Sequence, residues 1–196
     1  MIQNFLRRPR GLGEWVADAV RAVGLLGILV AAIAFEPTDA GILAFALPAL
    51  LLPRFVGVRP WFDITCGVTV LVAAWSNVID LYRTVAGWDL VVHFACTGVL
   101  AALAYLALSR VRVVPDLRRP GMRRRTPIVV TTAIGLAISA LWEMVEWFGW
   151  RFISDQIFVA YEDSIGDMAV GGLGALLAGV LLAYVRTDRA DALPRP

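Results

Sequence analysis

The chain has 196 residues, of which 59% are hydrophobic, and its formal net charge at pH 7 is only +2. Its mean hydropathy is +0.73, and the apolar fraction exceeds the roughly 45–50% of ordinary soluble domains, so a soluble globular domain is excluded. Cys66 and Cys96 both fall within apolar runs and are expected to be small buried residues rather than a disulfide. The composition therefore indicates an integral membrane protein.

Six apolar stretches follow a basic segment, residues 1–13, and precede a tail, residues 186–196. With some of their flanking residues, they are long enough to cross a bilayer about 30 Å thick as helices. Pro48 and Pro53 should kink or shorten the second span, because proline has no backbone N–H and clashes with the preceding turn. The sequence thus predicts an all-α fold, a polytopic transmembrane helical bundle. The predicted spans cover about residues 14–35, 40–58, 61–79, 87–109, 127–150 and 163–185.

The charged residues are divided unevenly between the two sides that these spans define. All 18 basic residues are arginines, and nearly all those outside the spans fall on the side of the two termini. The positive-inside rule therefore predicts that both termini are cytoplasmic. The loop at residues 110–126 contains seven arginines and one aspartate, and we expect it to contact anionic lipid head groups rather than nucleic acid. The opposite loops contain Glu36, Asp39, Asp80, Asp155 and Glu162, with only Arg83 and Arg151.

Three predicted spans contain a pair of ionisable residues near the outer side. The members of each pair are three or four residues apart, so they share a helix face. The fourth and sixth spans begin on the outer side and the fifth ends there, so the three pairs should lie at a similar depth. Ionisable residues within apolar spans are costly and usually mark a function. The pairs are Asp89 with His93, Glu143 with Glu146, and Asp163 with Asp167.

The pairs predict a candidate site with an outer and an inner layer, separated by about one helical turn, or roughly 5–6 Å. The inner layer, His93, Glu143 and Asp167, contains the candidate catalytic residues. Carboxylate oxygens favour Mg²⁺, Ca²⁺ or Mn²⁺ and an imidazole admits Zn²⁺, so one divalent metal ion is the cofactor that the site would take. Arg83 and Arg151 are alternative counter-charges, and Asp163 could instead cap a helix. The candidate metal ligands are Asp89, His93, Glu143, Glu146, Asp163 and Asp167.

Aromatic and small residues surround these pairs. The aromatic residues are typical of a membrane interface. In the sixth span, the small residues between Gly166 and Gly179 predict close packing against neighbouring helices and a central position in the bundle. Such small-residue faces are also compatible with the association of two or more copies of the chain into a homo-oligomer. The aromatic residues are Trp142, Trp147, Trp150 and Tyr161.

Three short motifs in about residues 75–182 resemble those of the VanZ-like membrane proteins, and more closely their YjdF-like branch. Glu146 and Asp167 depart from the VanZ pattern, in which glutamine and asparagine are expected. The resemblance implies a small helical bundle in the bacterial cytoplasmic (inner) membrane with a cell-envelope association, and it supplies no established reaction. The motifs are Asp89-x3-His93-Phe94 with Gly98, Trp142-Glu143-x2-Glu146, and Asp163-x3-Asp167-x3-Gly171-Gly172.

Three functions are compatible with these patterns. The first, which the sequence favours, is an outward-facing pocket for a divalent cation or polar head group, with hydrolysis or transfer on a lipid-linked envelope substrate as a further step. The second is a proton-coupled transporter with the inner layer as its relay. The third is a non-catalytic assembly protein in which the acids pair with one another or with arginines. A transporter should have a second polar layer in the cytoplasmic half, for which the sequence offers only Thr69, Ser109, Thr131 and Thr132.

Overall fold

The protein was analysed as a computed structural model, which describes residues 1–153 and 160–189. Within these residues the secondary structure is helical, apart from one isolated antiparallel bridge. Asp155 and the tail from residue 190 onward lie outside the described residues. The helices are α1 (Ile2–Leu6), α2 (Leu12–Ala34), α3 (Pro37–Phe45), α4 (Leu47–Val56), α5 (Pro60–Val78), α6 (Leu81–Thr84), α7 (Trp88–Arg110), α8 (Arg125–Phe152) and α9 (Tyr161–Tyr184).

In the described part of the chain, six helical segments are long and apolar enough to cross a membrane, which confirms the predicted all-α transmembrane fold. The basic N-terminal segment is partly helical, as α1. The second span begins at Pro37 rather than near residue 40, because Glu36 and Asp39 form a capping box around the helix start. A proline at the first helical position has no orphaned N–H and is already set to a helical φ angle.

Proline interrupts the second span, as the sequence predicted. Helix α3 ends at Phe45 and α4 begins at Leu47, with Pro48 in its first turn. Pro48 cannot donate a hydrogen bond to the carbonyl oxygen one turn earlier, so the helix is broken there. Helix α4 then ends at Val56 and is capped by Gly57, whose φ of 76° is a left-handed conformation that glycine adopts without strain.

The chain divides into two compact units. The first contains residues 1–86 and the tail from Arg186, and the second is Gly87–Val185. In the first unit, an apolar core joins α2, α3 and α5 through Ala31, Leu43 and Ala74.

The described part of the tail packs within the first unit, against the turn between α4 and α5. The backbone N–H of Arg59 donates a hydrogen bond to the carbonyl oxygen of Thr187 at 2.7 Å. Val58 and Asp188 form the isolated bridge. These contacts hold residues 187–188 of the tail at the start of the third span.

In the second unit, α9 packs against both α7 and α8. A Cβ atom added to Gly174 would lie 2.0 Å from the carbonyl oxygen of Phe94 on α7. One added to Gly179 would lie 2.8 Å from Cα of Ile128 on α8. The predicted close approach of the sixth span to its neighbours is therefore confirmed within this unit, because these backbones meet where only glycine fits.

Candidate metal centre

The candidate site lies where the first turns of α7 and α9 meet the C-terminal part of α8. Gly87 precedes α7 with a φ of 74°, and Asp89 follows in the first helical turn. Asp163 lies in the first turn of α9. The positive end of a helix dipole stabilises a nearby carboxylate, which favours acids at both positions.

His93 lies between the acids of α7 and α9 and is only 6% exposed. Its Nε2 atom lies 3.4 Å from Oδ1 of Asp89, one turn earlier on the same helix. The same nitrogen lies 3.9 Å from Oδ2 of Asp167 on α9, and Asp167 is 2% exposed. Two helices therefore direct carboxylates towards one nitrogen of a buried imidazole.

Two sets of three residues place their potential ligand atoms within 4.8 Å of one another. The aspartate triad consists of Asp89, His93 and Asp167, and the glutamate triad consists of His93, Glu143 and Glu146. His93 belongs to both. The two triads contain every predicted metal ligand except Asp163, and they bring all three candidate catalytic residues together.

Each triad contains a buried carboxylate oxygen that accepts no hydrogen bond from the described residues. These atoms are Oδ1 of Asp167 and Oε1 of Glu143. Leaving a buried acceptor without a partner costs about 1–3 kcal/mol, and more when the group is charged. Oxygen-rich sites with an imidazole are able to bind divalent cations. The arrangement can therefore hold a metal ion.

Asp163 lies at the edge of this arrangement. It is half-buried and interacts electrostatically with Asp89 and His93, but it belongs to neither triad. Trp142, one of the predicted interfacial aromatic residues, forms a side-chain hydrogen bond with Glu146. The structure therefore connects an indole N–H to the glutamate triad and leaves Asp163 outside both triads.

A layer of hydroxyl groups lies one turn further into the second unit. The hydroxyl of Ser139 on α8 donates a long hydrogen bond, 3.5 Å, to the main-chain oxygen of Asp167. A Cβ atom added to Gly171 would lie 2.8 Å from Oγ of Ser139 and 2.9 Å from Oγ1 of Thr97. The absence of a side chain at Gly171 thus allows both hydroxyls to approach α9 directly below the site.

Below the hydroxyls, α7, α8 and α9 pack closely against one another through small apolar residues. Ala101 and Ala175 are fully buried. A Cβ atom added to Gly135 would lie 2.1 Å from Cβ of Ala175 and 3.3 Å from Cβ of Ala101. The polar part of the site therefore ends at the hydroxyl layer on these faces.

The two arginines predicted as counter-charges have other neighbours. Arg83 lies in the first unit, with its Nε 3.8 Å from Oδ1 of Asp80. The guanidinium of Arg151 lies over the ring of Phe152, 5.4 Å from the ring centroid. Neither of these two contacts involves an acid of the triads, and the pairing of these arginines with those acids stays a prediction.

The first unit contains a second charged cluster that the sequence analysis did not identify. Arg21, which is 8% exposed, forms a salt bridge with Asp63 and another of 2.8 Å with Asp18. Arg54 lies 3.2 Å from Asp18. The sequence signal was the spacing of Asp18 and Arg21, three residues apart within the first span. Because two arginines balance two aspartates here, this cluster needs no further cation.

The sequence matches the model of a family described as "Predicted membrane protein (DUF2238)" over residues 17–188. The chain belongs to this family. No curated protein and no solved structure matches it. The matched region contains both triads, Asp163, and the charged cluster of the first unit. The family description agrees with the six membrane-length helices and states no activity.

Proposed function

We propose that this protein binds a divalent cation at the aspartate and glutamate triads and uses it to hold the polar head group of a cell-envelope lipid or lipid-linked substrate. The observation that carries the proposal is that Asp167 and Glu143, which each share a triad with His93, each have a buried carboxylate oxygen with no hydrogen-bond donor among the described residues. A divalent cation supplies the positive charge that such oxygens require.

The contrast between the two charged clusters supports a cation rather than internal ion pairing. In the first unit, the half-buried Asp18 and the buried Asp63 are compensated by arginines. In the triads, four carboxylates surround one imidazole. Like charges so close together repel one another unless protons or cations bind among them. The acidic surplus is therefore the feature that distinguishes a binding site from a structural ion pair.

The position of the site near the helix ends supports a ligand from the membrane interface. The C-terminal part of α8, which contributes Glu143 and Glu146 to the site, also contains three tryptophans that are 40–50% exposed: Trp142, Trp147 and Trp150. Tryptophan favours the depth of lipid head groups. A metal ion at this depth can orient a phosphate oxygen and polarise it for hydrolysis or transfer. The VanZ-like and YjdF-like resemblance, with its bacterial envelope association, and the positive-inside rule agree with a site open to the outer face.

Transport is less well supported in the second unit. A proton or ion path needs polar groups along its length, and Ala101, Gly135 and Ala175 offer none at their own level, which separates the hydroxyl layer from the buried Thr131 one turn further along α8. The proposed site therefore opens towards one end of the three-helix unit. In a non-catalytic assembly role, the triads would bind no metal. Measuring the metal content of the purified protein distinguishes this role from the proposed one.

Elemental analysis of detergent-purified protein tests the proposal, after loading with divalent metal and removal of the excess. The wild-type chain and Glu162→Gln should retain stoichiometric metal, whereas His93→Ala and Asp167→Asn should lose most of it. Glu162 is a matched control because it is an exposed acid in the first turn of α9. Circular dichroism and size-exclusion chromatography check that each variant is folded. Wild-type protein without metal, or equal metal in all four proteins, would contradict the proposal.

A further inference from the structure

We infer that the basic loop between α7 and α8 binds the phosphate group of an anionic lipid, with Arg119 at the centre of the site. The loop lies at the end of the second unit opposite the triads, because roughly 25 Å of helix α7 separates His93 from Arg110. This inference is therefore independent of the proposed cation site. It rests on two neighbouring pockets, a surplus of arginine, and an apolar wall formed by α9.

The loop is attached to α7 and folds into turns. The hydroxyl of Tyr105, which is fully buried, donates a hydrogen bond of 2.9 Å to the main-chain oxygen of Pro115. Two successive turns follow. The backbone N–H of Arg119 donates to the carbonyl oxygen of Asp116 at 3.0 Å, and that of Met122 donates to the carbonyl oxygen of Arg119 at 3.1 Å. A buried attachment followed by hydrogen-bonded turns gives the loop a defined surface.

Two neighbouring pockets lie on this surface. The first has a volume of about 290 Å³ and is lined in part by Arg119, Arg123 and Thr126. The second has a volume of about 220 Å³ and is lined in part by Arg119 and Arg124. Arg119 and Met122 line both pockets. Pockets for drug-sized ligands have volumes of roughly 300–1,000 Å³, so each of these fits a small polar group such as a lipid head group.

The arginines of the loop supply the charge that a phosphate group requires. Residues 110–126 include seven arginines and one acid, Asp116, whose Oδ1 accepts a hydrogen bond from the backbone N–H of Arg118. Among the described residues, no acid forms an ion pair with Arg119 or Arg123. A guanidinium group stays protonated, and its planar fork of N–H groups matches two oxygens of a phosphate. These two side chains are therefore able to bind an anion without first breaking an ion pair.

The second pocket adds an apolar wall. Leu182, which is 4% exposed, and Ala183 line it from the end of α9, and Leu117 lines it from the loop. The guanidinium of Arg124 lies over the ring of Tyr184, 4.7 Å from the ring centroid, which keeps a positive charge beside α9. A cationic pocket with an apolar wall suits a ligand that has both a phosphate group and acyl chains. A free phosphate ion would use only the arginines.

The position of the loop favours a lipid as the source of the phosphate. Helices α7, α8 and α9 are long enough to cross a membrane, and each has one end here, so the loop lies at the depth of lipid head groups. The arginine distribution predicts that this end is cytoplasmic, where the leaflet contains anionic lipids. Nucleic acid fits less well, because proteins bind single strands through aromatic side chains and residues 110–126 include none.

Calorimetric titration of the detergent-purified protein with dihexanoyl phosphatidylglycerol, a short-chain anionic lipid kept below its micelle-forming concentration, tests the inference. The wild-type chain should bind this lipid about tenfold more tightly than glycerol 3-phosphate or dihexanoyl phosphatidylcholine, which has no net charge. Arg119→Gln should weaken binding by about tenfold, because it removes a charge-assisted hydrogen bond. Arg118→Gln removes the same charge from an exposed neighbour that lines neither pocket, and it should weaken binding less than about threefold.

Several outcomes would overturn the inference. Equal weakening by Arg118→Gln and Arg119→Gln would show that a diffuse basic surface accounts for the binding. Equal affinity for the two lipids, or no binding of either, would also contradict it. Glycerol 3-phosphate bound as tightly as the lipid would exclude a lipid source, and binding of a single-stranded RNA oligonucleotide without binding of the lipid would assign the loop to nucleic acid. Because the ligands are compared on the wild-type chain, the test remains decisive even if a substituted chain does not fold.

Discussion

His93 and Asp167 approach each other across the interface of α7 and α9, with Nε2 of the histidine 3.9 Å from Oδ2 of the aspartate. Their approach depends on glycines nearby. Phe94, which follows His93, presents its carbonyl oxygen to Gly174 at a distance that excludes a Cβ atom. The small residues of α9 therefore bring the buried acid to the imidazole, and packing and site geometry are linked.

The first prediction concerns this glycine. Gly174→Ala should destabilise the second unit, because the new Cβ would lie 2.0 Å from the carbonyl oxygen of Phe94. Overpacking of this kind costs about 1–3 kcal/mol. The helices should separate to relieve the clash, so divalent metal binding should also weaken. Thermal unfolding in detergent and a metal-binding titration measure the two effects.

Gly166→Ala is the matched control on the same helix. Its added Cβ would have Leu90 Cδ2 as its nearest neighbour at 3.8 Å, an ordinary contact. Alanine favours a helix over glycine by about 1 kcal/mol, so this variant should be as stable as the wild type or more stable. Equal melting temperatures for Gly174→Ala and Gly166→Ala would show that the contact with Phe94 does not limit the packing.

The second prediction concerns the charged cluster of the first unit. Arg21→Met should destabilise the protein strongly, because it leaves the buried carboxylate of Asp63 without its guanidinium partner. Removing one member of a buried pair typically costs about 3–5 kcal/mol, whereas replacing both with apolar residues is often neutral. The double variant Arg21→Met with Asp63→Leu should therefore recover much of the lost stability. A double-mutant cycle on thermal unfolding measures the coupling.

Arg83→Met provides the control for loss of an arginine. Arg83 is in a mostly exposed ion pair with Asp80, and such pairs contribute about 0–1 kcal/mol. Additive effects of Arg21→Met and Asp63→Leu, with no recovery in the double variant, would contradict the predicted coupling.

Helix periodicity predicted most of the site because the residues of each pair lie close in sequence. Asp89 and His93 share a face of α7, as Glu143 and Glu146 do on α8, and alternating spans place these pairs at one end of the second unit. Asp163 and Asp167 are four residues apart, like Asp89 and His93, but Asp163 lies outside both triads. Sequence spacing specifies a shared helix face, whereas the rotation of that face towards the neighbouring helices depends on packing.

The charged cluster of the first unit could not be predicted in the same way. Arg21 and Asp63 lie on different spans, so their pairing requires knowledge of which helix faces meet. The same holds for Arg54, which lies in the predicted second span and contacts Asp18 of the first. The second span was predicted to start at about residue 40, because the sequence alone did not show that Glu36 and Asp39 form a capping box around a helix that begins at Pro37.

The third prediction concerns pH. Carboxylates must be ionised and an imidazole must be neutral to bind a metal, so protons compete with the cation. Affinity for Mn²⁺ should therefore fall as the solution is made more acidic, and metal binding should release protons. Calorimetric titrations in two buffers with different ionisation enthalpies measure this release. Identical apparent enthalpies in the two buffers would show that no proton is exchanged.

The fourth prediction concerns orientation in the membrane. The arginine distribution predicts cytoplasmic termini, so alkaline phosphatase fused after Arg189 should remain inactive in a bacterial host. The same enzyme fused after Phe35, between the first two spans, should be exported and active. Activity only in the fusion after Arg189 would reverse the proposed orientation and place the metal site on the cytoplasmic side.

Anomalous diffraction from crystals grown with Mn²⁺ tests the central claim most directly, because it locates the metal without relying on function. The account predicts an anomalous peak beside Nε2 of His93, within bonding distance of carboxylates of the triads, and weaker density there in crystals of Asp167→Asn. Absence of a peak at His93, or a peak only among the acids of the first unit, would contradict the account.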